Sequence, residues 1–469
     1  MSYQIELFQA FLEEFLTGEA ALITMEGDVL AVRGSRPESF GTLAMAASMA
    51  NQYLKLKEGD IALVNDPYSG GSFLSDMTFV TAISEDLFWV TRRELQRKVH
   101  IGESIESEGL RIPPTPIRQK NQVNKAIIQA MQMHPSCPPE FETWIEIQIN
   151  EITESSKKIL DVLEFSGFEV TDKLVQSYLE ISRNTVMQKI SERASGEARV
   201  DVHLDSGELL RLNLDIHEGK ISLDFGGTSP SKSVALTEAA VYGACFHSIS
   251  QFYGFQNIAN SGSFSNLQIT KPTGCWLVGK YPSATFKGMT CGIAAIKTAI
   301  DLALNQIHSK NEMALSSHCP LHIEFSANNR SQFLEIHGGV GANSLREGQS
   351  AKFHSLSIEE FEKNFPIKVL RADHRQSLGG KGKFNGGRGL ILKLEIQGEI
   401  ETTWMTDLTQ NKSRLAKNCS HGDSAEVVLE RAGQITELPP EGKQKFLKGD
   451  ILSLCSGAGG GYGKETNTI

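Results

Sequence analysis

The chain has 469 residues, of which 40% are hydrophobic and 22% charged, and its formal net charge is -10 at neutral pH. That length allows large cores and two or more domains in an ordinary globular composition. The acidic balance disfavours a general nucleic-acid or anionic-membrane binder, which would carry a basic face, and no apolar run reaches the ~18 residues needed to span a bilayer.

Residues 3–16 place Ile5, Phe8, Phe11, Leu12 and Phe15 at helical spacing, as in an amphipathic helix that packs on a core or meets a partner. No basic segment leads into an apolar run there, so a secretory signal is not expected. Residues 20–100 alternate short apolar runs with Gly, Asp and Pro, which predicts a strand-rich α/β region with a helix over 43–54 and a strand over 88–91. The connector RIPPTPI at 111–117 carries too many prolines for a regular helix or a central strand. Residues 121–133 and 140–193 are helical in period. Ile149, Ile152, Ile159, Leu160 and Leu163 share one face; Leu174, Tyr178, Leu179, Val186 and Ile190 share another.

From residue 198 the pattern changes to short β runs, ARVDVHL, LLRLNLDI and KISLDF, followed by helices at about 236–250 and 291–307. The chain beyond about residue 320 reads as β-rich with glycine turns, and KETNTI at the end as a frayed tail. The expected fold is therefore α+β and multi-domain, with an N-terminal α/β region over 1–195 and a β-rich C-terminal region over 196–469.

Seven cysteines (137, 245, 275, 291, 319, 419 and 455) are scattered without a Cys-x-x-Cys pair, which suggests buried free thiols in a reducing cytoplasm. The glycine stretches 338–342, 379–389 and 457–463 lack the P-loop and dinucleotide fingerprints, so tight turns and close backbone packing explain them and no bound nucleotide is expected. His318 and His322 flank Pro320 in a segment that reads as extended. Four residues along a strand separate side chains by roughly 13 Å, too far for one ion, so satisfied or exposed histidines are expected. His337 and His354 carry no functional reading.

The run Gly59–Asp76, GDIALVNDPYSGGSFLSD, holds the strongest site signal. A short apolar strand enters an Asn-Asp-Pro turn, a Gly-Gly pair and a second carboxylate. Pro67 biases Asp66 towards an extended conformation and Gly70-Gly71 opens dihedrals closed to other residues. Asp66 and Asp76 can serve as a metal-binding or acid/base pair, or can cap turns.

This stretch resembles the signature of the hydantoinase B/oxoprolinase family. So do EGLRIPP (108–114), LDFGGTSPS (223–231), PTGCW with YPSA (272–276, 281–284), SIEEFEKNFPIKVLRAD (357–373), GGKGKFNGGRG (379–389) and GDILSLCSGAGGGYG (449–463), in the family's order and over most of the chain. The resemblance implies a B-type subunit of an ATP-dependent cyclic amide (hydantoin, lactam or 5-oxoproline) hydrolase or a related carboxylase. It implies a separate hydantoinase A-type, actin-like ATPase subunit as partner, ATP on that partner, and a divalent metal in the N-terminal half of the B-type chain. A metal-bound water would then attack the carbonyl that ATP has activated.

The departures from the family pattern fall on the implied metal ligands. The Pro-x-His-Leu-Gly segment is here Pro37-Glu-Ser39-Phe-Gly41, and Gly-Thr-His-Leu-Pro-Asp is Gly71-Ser-Phe73-Leu-Ser-Asp76. Arg-x-His-x-x-Asp aligns with Arg93-Glu-Leu95-Gln-Arg-Lys98, and the Gly-Gly and Pro-Gly-Ser elements that follow are missing. Asp66 and Asp76 remain as remnant metal candidates, with Ser39, Phe73, Leu95 and Lys98 at the other implied positions. His100, Glu94, Glu103 and Glu106 are available substitutes. Phe73 and Leu95 are expected to pack into the former metal pocket, and Lys98 to bring positive charge to it. Two functions stand: a working B-type subunit, or a catalytically silent paralogue acting as scaffold or regulatory subunit.

Overall fold

In the computed structural model, residues 18–167, 169–308, 313–353, 357–377, 379–410 and 418–464 are described, together with Phe8. The expected N-terminal helix therefore lies outside the described residues except at Phe8, which is buried against the ring of Tyr178. His354 and the last five residues of the chain lie outside as well.

Short apolar runs between turns give β1 (Glu19–Thr24), β2 (Val29–Arg33), β3 (Ile61–Val64), β4 (Asp76–Ala82) and β5 (Leu87–Glu94), with α1 (Ser39–Leu54) between β2 and β3. They join β6 (Thr115–Gln119) and β7 (Gln122–Val123) in one antiparallel sheet of order β2-β1-β5-β4-β3-β6-β7. Every residue of β3 and β4 is buried, because both faces of the sheet are covered. Ala62, Val80 and Val90 face a core shared with Leu43, Ala46 and Ala50 of α1. Their neighbours Leu63, Phe79 and Trp89 face a second core shared with the helices that follow, α2 (Lys125–Gln132), α3 (Phe141–Ser166) and α4 (Asp172–Ser191).

The fold departs from the sequence expectations at two places. Pro116 does lie in a strand. It pairs with Ala62 at a register shift between Ile61 and Ala62, and this irregularity accommodates a residue with no N–H to donate. Leu160 is 36% exposed and so is not part of the buried face that Ile149, Ile152, Ile159 and Leu163 form on α3.

The alternating runs after α4 become β8 (Gly196–His203), β9 (Leu209–His217) and β10 (Lys220–Asp224). After α5 (Glu238–Tyr253), β11 (Leu267–Thr270) adds to β10 in parallel. A π turn over Gly288–Gly292 opens α6 (Ile293–Ile307). Beyond it come β12 (Leu321–Ala327), β13 (Arg330–Ile336), α7 (Ile358–Asn364), β14 (Ile367–His374), β15 (Leu390–Ile396), β16 (Ile400–Met405), β17 (Glu426–Arg431), β18 (Gln434–Leu438), β19 (Glu441–Phe446) and β20 (Ile451–Cys455). They form two sheets, β13-β12-β16-β19 and β14-β15-β20-β17-β18, around a third core. The architecture is mixed α+β with several sheets. No described helix is long and apolar enough to cross a membrane.

The three glycine stretches meet in space. Gly339 N–H donates to Gly457 O, Gly387 N–H to Val340 O and Gly459 N–H to Gly387 O, each at 2.9 Å. A Cβ on Gly386 would lie 1.9 Å from the Gly459 carbonyl oxygen, so only glycine fits this backbone layer.

Candidate functional site

β3 ends at Val64 and delivers Asn65 and Asp66 to a turn. The Asn65 amide donates to Leu74 O (2.7 Å) and Leu110 O (2.8 Å), and its carbonyl accepts from Ile112 N–H (2.6 Å). Asp66 is extended (φ -60, ψ 115) before Pro67 and caps the short helical turn 67–69 by accepting from Tyr68 N–H at 3.1 Å. Its other oxygen accepts from Ser69 Oγ (3.1 Å) and Arg111 Nη1 (3.0 Å). Gly70 takes a positive φ of 92, and a Cβ there would lie 2.2 Å from the Ala46 nitrogen.

Asp76, the first residue of β4, is fully buried. Arg36 Nη1 donates to one of its oxygens at 2.5 Å and Arg97 Nη2 to the other at 3.4 Å. Arg97 Nη2 also binds Glu94 at 2.6 Å, and Arg97 Nη1 lies 3.8 Å from Glu335. Arg92, buried beside them, donates to the hydroxyls of Thr78, Ser39 and Thr42 and to Gly70 O. Burial alone would raise the Asp76 carboxyl, but Arg36, Arg97 and Arg92 together hold it below the usual carboxylate range. Burial disfavours the charge on Arg36, and Asp76, Glu38 and Glu19 more than restore it. Arg92 is lowered by burial and by Arg36.

The Phe73 ring lies beneath these cations, with the Arg97 guanidinium carbon 4.4 Å and that of Arg36 5.9 Å from its centroid. Its edge meets Phe286 at 5.4 Å. Phe73 thus packs in the first core, whereas Leu95 packs against the second. Both side chains nevertheless line the same cleft. Ser39 is tied to Arg92, and Lys98 points out into a cleft while its neighbour Arg97 brings the positive charge to Asp76. Among the described residues the carboxylates of Asp66 and Asp76 share no hydrogen-bond partner: Arg111 and the 67–69 turn hold the first, Arg36 and Arg97 the second.

The available substitutes have other partners. Glu94 pairs with Arg97, Glu106 with Tyr281 Oη and Arg111, and His100 lies 3.3 Å from Ser107 Oγ. Glu103 is exposed and its carbonyl accepts from Ala284 N–H. Among the described residues no group of three or more His, Cys, Asp or Glu is placed to hold a metal ion. A divalent cation on Asp76 would have to displace two guanidinium groups and would find an aromatic face beside it, so the donor set around Asp76 does not fit the metal that the family resemblance implies.

A cleft of about 710 Å³ opens over this cluster, lined in part by Phe73, Arg97, Lys98, Glu108, Phe286 and Glu324. Glu108 is its most unusual group. Its carboxylate accepts from Thr285 N–H (2.6 Å), Phe286 N–H (2.9 Å) and Thr285 Oγ1 (3.3 Å). Burial nevertheless pushes it up to about 7 against those hydrogen bonds. The same segment is tied to 281–286 by Ile105 N–H to Pro282 O and by Arg111 over the Tyr281 ring at 4.7 Å.

His318 and His322 have different environments. His318 Nε2 meets Asp301 at 2.7 Å, as expected of a satisfied histidine. His322 is buried in β12 between Phe286 and Phe333, and neither ring nitrogen has a hydrogen-bond partner among the described residues, contrary to that expectation. Burial pushes it down to about 4.

Sequence pattern did not single out Arg36, Arg97, Glu108 or the bare ring of His322, although Glu108 opens the EGLRIPP motif.

The family model described as hydantoinase B/oxoprolinase matches residues 10–465. The chain is 22% identical to 5-oxoprolinase 1 of Arabidopsis thaliana, covering 97% of this chain but 39% of that protein. It is 22% identical to a putative D-/L-hydantoinase B-type subunit of a Pseudomonas species, covering 87% of this chain and 76% of that one. In structure it resembles the ATP-dependent caprolactamase of Pseudomonas jessenii, with a TM-score of 0.81 over 98% of this chain and 90% of that one at 17% identity. This last likeness is one of fold.

Proposed function

Because the chain belongs to the hydantoinase B/oxoprolinase family, we propose that it is a B-type component of an ATP-dependent cyclic amide hydrolase or related carboxylase, associated with a separate A-type ATPase subunit, and that it is itself silent in metal-assisted hydrolysis. The observation that carries the second half is the pairing of Asp76 with Arg36 and Arg97 above the Phe73 ring. The cluster has its positive charge built into the chain. The relative described as a hydantoinase B-type subunit supports a partnered assembly, and the role left to this chain is that of scaffold or regulatory subunit.

A second reading, a B-type subunit that still turns over substrate in the cleft, is favoured by Glu108 alone. A carboxyl that titrates near 7 at a cleft wall can take and return a proton at neutral pH.

One preparation separates the readings. The chain is purified with its cognate ATPase subunit, its bound metal is measured, and ATP-coupled hydrolysis of hydantoins, lactams and 5-oxoproline is assayed. The silent reading expects substoichiometric metal and no turnover that depends on this chain. Stoichiometric metal with turnover abolished by Asp66→Ala overturns it. Metal-free turnover abolished by Glu108→Gln supports the second reading.

A further inference from the structure

Cys291 and Cys319 are both free thiols, and they touch. Cys319 Sγ lies 3.7 Å from Cys291 Sγ. The two residues come from separate elements: Cys291 from the π turn that opens α6, and Cys319 from the segment entering β12. We propose that this pair is a modification site for a small peroxide, which closes it into a Cys291–Cys319 disulfide.

The two sulfurs differ in access, and that orders the steps. Cys319 lines a cavity of about 100 Å³ together with His318 and Asp407, a space sufficient for a peroxide molecule. Cys291 is fully buried behind it, and its contact with Cys319 and its burial keep it a protonated thiol. Cys319 therefore meets the oxidant first. Its sulfur attacks the peroxide, the O–O bond breaks, and sulfenic acid and one water form. Cys291 sulfur then attacks the sulfenic sulfur, and the hydroxyl leaves with the Cys291 proton as a second water. The balance is two thiols and one hydrogen peroxide to one disulfide and two waters.

Closing from 3.7 Å to the disulfide length of about 2.05 Å needs about 1.7 Å of sulfur travel. The bond would brace the wall of the large cleft, since Phe286 lines that cleft and Lys287, the next residue, pairs with Glu441 at 2.8 Å just before the π turn. Neither the family motifs nor the arginine cluster enters this inference, so it stands apart from the proposed function.

The test uses the folded full-length chain. It is treated with hydrogen peroxide, unfolded in the presence of iodoacetamide, digested without reductant and mapped by mass spectrometry. The expected result is loss of two alkylatable thiols and appearance of one peptide pair joining residues 291 and 319, which dithiothreitol dissolves. In Cys319→Ala, Cys291 should stay alkylatable after treatment. In Cys291→Ala, Cys319 should progress to sulfinic acid. Retention of all the thiols in the wild-type chain overturns the proposal, as does a cross-link between other cysteines or sulfinic acid at Cys319 beside a free Cys291. The wild-type map needs no variant to fold, so it decides by itself.

Discussion

The guanidinium of Arg97 covers the ring of Phe73, 4.4 Å from its centroid, while its Nη2 reaches the Asp76 carboxylate. One side chain thus shields an aromatic face and neutralises a fully buried acid. Removing the acid leaves Arg36 and Arg97 short of their shared partner in a buried setting, which costs about 3–5 kcal/mol. Asp76→Ala should lower the urea unfolding free energy by that order. The Asp76 pKa is depressed, so its stabilising contribution is present above the ordinary carboxylate value of 3.8 and is lost as pH falls through the lower folded value. Wild type and variant should therefore differ most near neutral pH and converge in strong acid. Equal stability at pH 7 would show that the arginines are satisfied without Asp76.

The same pairing governs metal binding. Restoring imidazoles alone, as Phe73→His with Leu95→His, should not create a metal site, because Arg36 and Arg97 still hold the Asp76 oxygens. After incubation with manganese or zinc and gel filtration, elemental analysis should find substoichiometric metal in the double variant. One equivalent of bound metal would show that the guanidinium groups yield readily.

The turn at Asp66–Gly70 was legible because Pro and Gly act on their own backbone, and the helices after residue 140 and strands after residue 196 because burial follows a regular period. The missing imidazoles were legible against the family motifs. Their replacement was not. Arg36 reaches Asp76 across 40 residues of sequence, and no local pattern announces such a crossing. The choice between Arg97 and Lys98 rested on parity in an extended segment, where neighbours face opposite ways. Arg97 and Val99 turned inward and Lys98 outward. The glycine stretches read correctly as packing, but their meeting in one layer depends on strand order, which turn chemistry does not encode.

Glu108 should leave a signature in the pH dependence of stability. Its folded value is about 7 against an ordinary 4.5, so the unfolded chain ionises first as pH rises. The contribution of the neutral native carboxyl is fully present below about 4.5 and is lost as pH climbs to about 7, a change on the order of 3 kcal/mol. Glu108→Gln keeps the acceptor for the 285–286 amides and does not titrate. The difference in unfolding free energy between variant and wild type should therefore change across that window and be flat above it. A difference that stays constant from pH 4 to 8 would place the folded value near the ordinary one.

His322 makes the opposite prediction on the acid side. Its ring is sealed between Phe286 and Phe333 with both nitrogens unpartnered among the described residues, so the native state resists the proton that the unfolded chain accepts near 6.5. With the folded value pushed down to about 4, the contribution of the neutral ring is present above 6.5 and lost as pH falls towards 4. His322→Phe removes two desolvated nitrogens, keeps an aromatic ring against both neighbours and abolishes the titration. The variant should be more stable than wild type by about 1–2 kcal/mol at pH 7, and by more at pH 5, as read from urea midpoints at the two pH values. A loss of stability on this substitution would mean that the imidazole makes an interaction worth more than its burial costs. The identical loss at both pH values would further show that this interaction does not depend on protonation.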